Sequence, residues 1–219
     1  MPRLYLLGGE NVHKRNASTV NELAFQDAGG HPAVVVFPWA RASFDRLYSK
    51  RKLVSDYFLS LGAAAVEFIE YSDSKASMAR KMASSNLIYL TGGLANALVE
   101  RLKRKSVDEL LSGYGGIIVG RSAGALALCR QCVITSRLNK KVSLIEGLGL
   151  ADLVLKAHYR AEKDGVLQLL SMGQKVYGVP SRSAIIYDGG ICSVIGEAFL
   201  FENGEKKTLD SAGNVSAKP

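Results

Sequence analysis

Short runs of β-branched and aliphatic residues recur at Leu4 to Leu7, Ala33 to Phe37, Ala65 to Ile69, Leu87 to Leu90 and Ile117 to Val119, and they read as buried parallel strands. Between them the apolar spacing is helical. Phe44, Leu47, Val54, Phe58 and Leu61 share one face, and Leu94, Leu98, Arg101 and Leu102 continue that spacing beyond the next strand. Strand alternating with helix places the chain in the α/β class, with a mostly parallel sheet. The later part changes character, with candidate strands at Leu153 to Lys156, Lys175 to Val179, Ala184 to Tyr187, Ile191 to Ile195 and Ala198 to Phe201. The last three are close enough for antiparallel hairpins, with Asp188-Gly189-Gly190 and Gly196-Glu197 as turns. No repeat or linker divides the chain, so residues 1–209 read as one domain and the Ser-, Ala- and Gly-rich tail 210–219 as frayed.

A chain of 219 residues, 47% hydrophobic and 22% charged, can bury roughly 70% of its unfolded surface and needs no disulfide or metal to hold a core. Its three cysteines form an odd set; Cys129 and Cys132 spell C-x-x-C, but no second pair follows. His13, His31 and His158 offer no zinc-ligand spacing, so the thiols read as small buried hydrophobes and neither metal nor cofactor is expected. No apolar run approaches the roughly 18 to 20 residues of a membrane span, and no signal-like leader opens the chain, which points to a cytoplasmic protein without membrane contact. The formal net charge of +8 favours acidic partners through its long-range field. The basic clusters at 46–52, 101–105, 140–141 and 206–207 fall largely on expected outer helix faces, and no helix-turn-helix or RNA-binding signature accompanies them. Nucleic acid is therefore not the expected partner.

The segment Ile117-Ile118-Val119-Gly120-Arg121-Ser122-Ala123-Gly124-Ala125 carries the chemistry. An apolar strand enters G-x-S-x-G and leaves through a helix-favouring stretch, Ala123 to Arg130, which is the context of a nucleophile elbow. At such a turn the backbone doubles back, so side chains two positions before and after the serine would collide, and glycine removes them. The turn puts the Ser122 hydroxyl beside a helix N-terminus, making the Ala123 N–H a candidate oxyanion donor.

A serine nucleophile needs a base. His31 stands at the entry of a strand, the edge opposite the carboxyl ends where open α/β sheets place their chemistry. His13 and His158 can both reach the correct edge, and His158, between a candidate strand and the helix Glu162 to Leu170, is favoured. Thr91-Gly92-Gly93 follows a strand and opens a helix, so its backbone could supply a second oxyanion donor. Gly8-Gly9-Glu10 has the same form but lacks the rest of G-x-G-x-x-G, and no phosphate-binding loop sequence occurs.

Together, Leu-Leu-Gly-Gly after the first strand, Tyr-Leu-Thr-Gly-Gly at 89–93, Gly-Arg-Ser-Ala-Gly-Ala at 120–125 and His-Tyr at 158–159 resemble the dipeptidase E and cyanophycinase family of serine peptidases, over nearly the whole chain. The resemblance implies a fold similar to class I glutamine amidotransferases: a flavodoxin-like three-layer sandwich with helices on both faces of the sheet and an antiparallel C-terminal extension. It also implies Ser122 as nucleophile, His158 as base, and the N–H groups of Gly93 and Ala123 as the oxyanion hole. The family's dipeptidases cleave after an N-terminal aspartate, and its cyanophycinases cleave bonds to aspartate in an Asp-Arg polymer; the length is nearer the compact dipeptidases.

Two positions depart from the pattern. Leu94 stands where relatives usually carry Asn or Asp, and Gly178-Val179-Pro180-Ser181-Arg182-Ser183 has Ser181 where they commonly carry the carboxylate that supports the histidine. A carboxylate both fixes the imidazole tautomer and stabilises the imidazolium; a hydroxyl does only the first. The expected arrangement is Ser122-His158-Ser181 with weakened hydrolysis, and Asp188, Asp164 and Glu162 are alternatives in another register. Arg121, Arg160 and Arg182 flank the three positions and are candidates to bind an aspartyl carboxylate. The reading is a cytosolic serine exopeptidase, monomeric or homodimeric, acting on short peptides with an acidic N-terminal residue. A catalytically impaired relative binding acidic peptides or metabolites is the alternative, and an amidotransferase, which expects a cysteine at 122, ranks last.

Overall fold

The computed structural model describes residues 2–135 and 141–210 and the backbone of Val215–Ser216. In chain order the elements are β1 (Arg3–Leu7), α1 (Ser18–Asp27), β2 (Ala33–Phe37), α2 (Arg51–Ser60), β3 (Ala65–Phe68), α3 (Lys75–Ala83), β4 (Leu87–Leu90), α4 (Ala95–Arg104), α5 (Val107–Ser112), β5 (Ile117–Arg121), α6 (Ala123–Leu128), β6 (Cys129–Thr135), β7 (Val142–Glu146), β8 (Ala151–Ala157), α7 (Asp164–Leu170), β9 (Val176–Val179), β10 (Ala184–Asp188), β11 (Ile191–Ile195), β12 (Ala198–Glu202), β13 (Glu205–Leu209) and β14 (Val215–Ser216). Among the described residues they build an eight-stranded sheet in the order β14-β11-β10-β1-β5-β4-β2-β3 and a six-stranded sheet in the order β13-β12-β9-β8-β6-β7.

In the larger sheet, β1, β5, β4, β2 and β3 run parallel, and β10, β11 and β14 extend it antiparallel. Side chains alternate between its faces, and both faces are covered. Leu4, Leu6, Ile88, Leu90 and Ile118 point into one core with Leu98 and Leu102 of α4 and Leu111 of α5. Their neighbours Tyr5, Leu7, Leu87, Tyr89 and Val119 point into the other, against Val20 and Phe25 of α1 and Val54 and Phe58 of α2. This is the flavodoxin-like α/β sandwich with an antiparallel extension.

The second sheet was not foreseen as a separate unit. The helix after Ser122 ends at Leu128, short of the helix-favouring stretch to Arg130, because Cys129–Thr135 is taken up as β6 between β7 and β8. Gly196-Glu197 is not a hairpin turn: β11 pairs with β10 and β14, while β12 pairs with β9 and β13, so these residues carry the chain from one sheet to the other. The hairpin that does involve β12 turns at Asn203-Gly204, where φ is 52° and 80°. Asn-Gly is a strong signal for such a turn, and its significance at 203–204 was missed. The expected face beginning at Phe44 also fails over its first turn. Asp45 has a φ of 62°, Leu47 is 78% exposed, and the helix starts at Arg51 with Val54 and Phe58 buried. Leu94 lies just ahead of α4 and is 57% exposed, whereas Leu98 and Leu102 are buried.

Cys129, Cys132 and Cys192 are free and buried. Burial pushes the Cys132 thiol up to about 12 and that of Cys192 to about 11, so both stay protonated at neutral pH. Among the described residues no helix is long and apolar enough to cross a membrane. Of the tail 210–219, Val215–Ser216 pairs with β11; residues 211–214 and 217–219 lie outside the described residues, as does Lys140 of the basic pair 140–141.

Candidate active site

Parallel registers bring several strand ends to one edge. Leu7 pairs with Arg121, Leu90 with Gly120, and Phe37 with Leu90, so β1, β5, β4 and β2 finish side by side. In the second sheet Ala157 of β8 pairs with Val179 of β9; His158 follows the first directly, and Ser181 follows the second after Pro180. The site forms where these two sets of strand ends face each other, at the carboxyl edge that open α/β sheets use for ligands.

Ser122 sits between β5 and α6 with φ 52° and ψ −104°, a strained backbone for a residue with a Cβ. The glycines on either side explain how the turn closes. A Cβ on Gly120 would stand 2.6 Å from Ala125 N, and one on Gly124 would overlap the Leu90 carbonyl. His158 and Arg182 also have positive φ, 51° and 74°, so three strained residues cluster at or beside this edge.

His158 Nε2 lies 2.9 Å from Ser122 Oγ and His158 Nδ1 lies 2.8 Å from Ser181 Oγ. The three side chains predicted to act together are thus in one hydrogen-bonded line. The carboxylates considered as substitutes are engaged elsewhere. Asp164 accepts from Tyr159 Oη at 2.5 Å and from Lys206 Nζ at 2.9 Å, Glu162 pairs with Lys163 at 3.7 Å, and Asp188 pairs with Arg3 at 3.8 Å.

The turn Gly8-Gly9 ties the line together, a role its sequence did not reveal. Ser122 N–H donates to the Leu7 carbonyl at 2.8 Å, His158 N–H to the Gly8 carbonyl at 2.9 Å, and Arg182 N–H to the Gly9 carbonyl at 2.8 Å; Gly8 N–H donates to the Ser183 carbonyl at 2.9 Å. One loop therefore holds all three segments. The approach is too close for a side chain, since a Cβ on Gly9 would overlap the imidazole and come within 2.9 Å of Ser181 Oγ.

Ser122 and His158 open onto a cavity of about 330 Å³, with Gly92 and Gly93 on its wall. Larger hollows near Tyr114 and near Lys175 do not include either residue. Thr91 Oγ1 donates to the Phe37 carbonyl at 2.9 Å, which fixes the start of the glycine turn on β2. Arg121, Arg41 and Lys50 also line the cavity. Arg121 is only 5% exposed. Arg41 is held by its backbone, because Arg101 Nη1 donates to its carbonyl at 2.8 Å while the Arg101 guanidinium lies 3.7 Å over the Phe44 ring. Burial, then Arg41 and Arg121, lower the Lys50 pKa, as expected where positive charges converge. Arg160 and Arg182 are exposed and are not among the residues lining the cavity. His13 lines it, while His31 is at the other end of the sheet, with Nδ1 3.1 Å from the Gly62 carbonyl.

A hydroxyl backed by an imidazole with a second acceptor behind it can lose its proton as it attacks an acyl carbon. Among the described residues no group of three metal-ligating side chains comes together.

The overall fold has solved relatives. The structure of a peptidase from an acI-B1 Actinobacterium superposes with a TM-score of 0.75 at 17% identity, covering 99% of this chain and 97% of that one. One named for peptidase E from Listeria monocytogenes EGD-e gives 0.65 at 22% identity, covering 96% and 100%. No curated protein sequence matches the chain significantly. The model of peptidase family S51 matches residues 4–195. With the serine elbow inside that span, the chain belongs to peptidase family S51, the dipeptidase E family, and is a serine-type peptidase.

Proposed function

We propose that the protein is an exopeptidase that hydrolyses the bond after an N-terminal aspartate in dipeptides and short peptides. Ser122 is the nucleophile, His158 the base, Ser181 the third member, and the N–H groups of Gly93 and Ala123 the oxyanion hole. The observation that carries this reading is the line Ser181–His158–Ser122, with hydrogen bonds of 2.8 and 2.9 Å, opening onto a cavity rich in cations.

With Nδ1–H donating to Ser181 Oγ, the Nε2 lone pair faces the Ser122 hydroxyl. Attack forms the Oγ–C bond and moves the hydroxyl proton to Nε2; collapse breaks the peptide C–N bond and delivers that proton to the leaving amine. Water, deprotonated by the same nitrogen, then cleaves the ester and restores Ser122. Arg121, with Arg41 and Lys50, receives the aspartyl side-chain carboxylate. Buried thiols fit a reducing, cytoplasmic setting. The neutral Ser181 favours one second reading, a relative with impaired catalysis that binds acidic peptides through the same cavity.

The substrate assignment is checked by comparing Asp-Leu with Ala-Leu. A cavity built for a carboxylate leaves its cations unpaired around alanine, so kcat/KM is expected to favour Asp-Leu by about 100-fold or more. Equal cleavage of the two dipeptides removes the acidic preference.

A further inference from the structure

The cavity at Ser122 holds one carboxylate among its cations, and the mechanism above gives it no task. Glu10 follows the Gly8-Gly9 turn and lines the same space as Ser122, Arg121, Arg41 and Lys50. Its position is set from behind: Tyr89 Oη donates to Oε2 at 3.3 Å and Asn21 Nδ2 to Oε1 at 3.3 Å. Both partners are buried to within 1% of full burial, and Asn21 Nδ2 also donates to Tyr57 Oη at 2.9 Å. The carboxylate is therefore held at the cavity wall by rigid groups. Among the described residues no lysine or arginine closes a salt bridge with it, although several line the same cavity and Arg121 lies near enough to feel its charge.

A cavity with separated charges of both signs complements a ligand that carries both. An N-terminal aspartyl residue does, with a carboxylate on its side chain and an ammonium on the adjacent carbon. We propose that Glu10 is the residue that binds the substrate's α-ammonium, while Arg121, Arg41 and Lys50 take the side-chain carboxylate. This rests on the exopeptidase reading above and adds the reason for its exo character. The ammonium brings N–H donors and a charge to Glu10, whereas an acylated amine brings a single neutral donor and leaves the carboxylate poorly paired. Glu10 thus selects free N-termini and rejects blocked ones.

The test compares Asp-Leu with N-acetyl-Asp-Leu on the wild type, Glu10→Gln and Glu10→Asp, with Ser122 labelling by a fluorophosphonate run in parallel. Wild type is expected to prefer the free amine by about 30-fold or more, the size of one charge-assisted contact. In Glu10→Gln that ratio falls toward one because only the free-amine substrate suffers; retained cleavage of the blocked peptide shows that the fold is intact. Glu10→Asp keeps the charge and recovers part of the preference. A Glu10→Gln enzyme with the wild-type ratio, or equal loss on both substrates, overturns the assignment. If wild type labels at Ser122 but cleaves both peptides equally, the Glu10 proposal fails while the serine peptidase reading stands. Absence of both labelling and hydrolysis overturns the two together.

Discussion

Ser122→Ala is expected to lower kcat for Asp-Leu by about 10,000-fold, less than the roughly million-fold of a triad with a carboxylate because Ser181 is neutral, to the residue of catalysis that binding and oxyanion donors supply without a nucleophile. The loss should appear in kcat with little change in KM, because the hydroxyl is small and the cations that line the cavity are untouched. The variant should fold: alanine keeps the Cβ already present at a φ of 52°, so it adds no steric conflict to the strained turn. Circular dichroism and the thermal midpoint check that the lost rate is chemical. A Ser122→Ala protein that retains more than a small fraction of the rate would place the nucleophile elsewhere.

Ser181 gives the second large effect. In the proposed triad its Oγ, 2.8 Å from His158 Nδ1, accepts a hydrogen bond from the Nδ1–H and so leaves Nε2 unprotonated toward Ser122. Loss of the tautomer-fixing group in a triad costs about four orders of magnitude when the replacement enforces the wrong tautomer. Alanine enforces none, so Ser181→Ala is expected to reduce kcat by about 100- to 1000-fold. Ser181→Asp supplies the missing charge at the same place and should raise kcat above wild type, since it stabilises the imidazolium that forms during attack. Steady-state assays of the three proteins on Asp-Leu decide it, and unchanged activity in both variants would remove Ser181 from the mechanism.

How far the site was legible follows from where its parts lie along the chain. The elbow was readable because its steric logic is largely local: Gly120 is required by the turn itself, against Gly124 and Ala125, and only Gly124 also answers to a partner strand, through the Leu90 carbonyl. The parallel strands β1, β2, β4 and β5 were readable for a similar reason, since strands covered on both faces require sustained apolar runs. The second sheet was harder. Cys129–Thr135 ends in the β-branched run Val133-Ile134-Thr135, but its first residues continue the helix-favouring stretch, and the point where helix gives way to strand is set by pairing with β7 and β8. That His158 and Ser181 stand together depends on the register of Ala157 against Val179, which the residue types do not encode separately.

The charged wall of the cavity shows the same limit. Proximity in sequence pointed to Arg121, Arg160 and Arg182, but only Arg121 lines the cavity. Neighbours along an extended chain project in opposite directions, and Arg182 sits at a turn with φ 74°. Glu10 comes from the connection after β1 and Arg41 and Lys50 from the one between β2 and α2, and they meet only through the tertiary fold. The sole local hint was Gly8-Gly9 before Glu10, a pair that permits close approach at a strand end. Its form is that of the start of a nucleotide-binding turn, whereas its task is to hold His158, Ser122 and the 181–183 segment at one point.

Covalent capture tests the activation of Ser122 without reference to any particular peptide. Wild-type protein treated with a fluorophosphonate should gain one adduct, located by mass spectrometry on Ser122, and His158→Ala should gain it far more slowly because the hydroxyl then keeps its proton. A wild-type Ser122 that stays unlabelled while the protein is folded would contradict an activated serine and leave a module that binds acidic peptides without cleaving them.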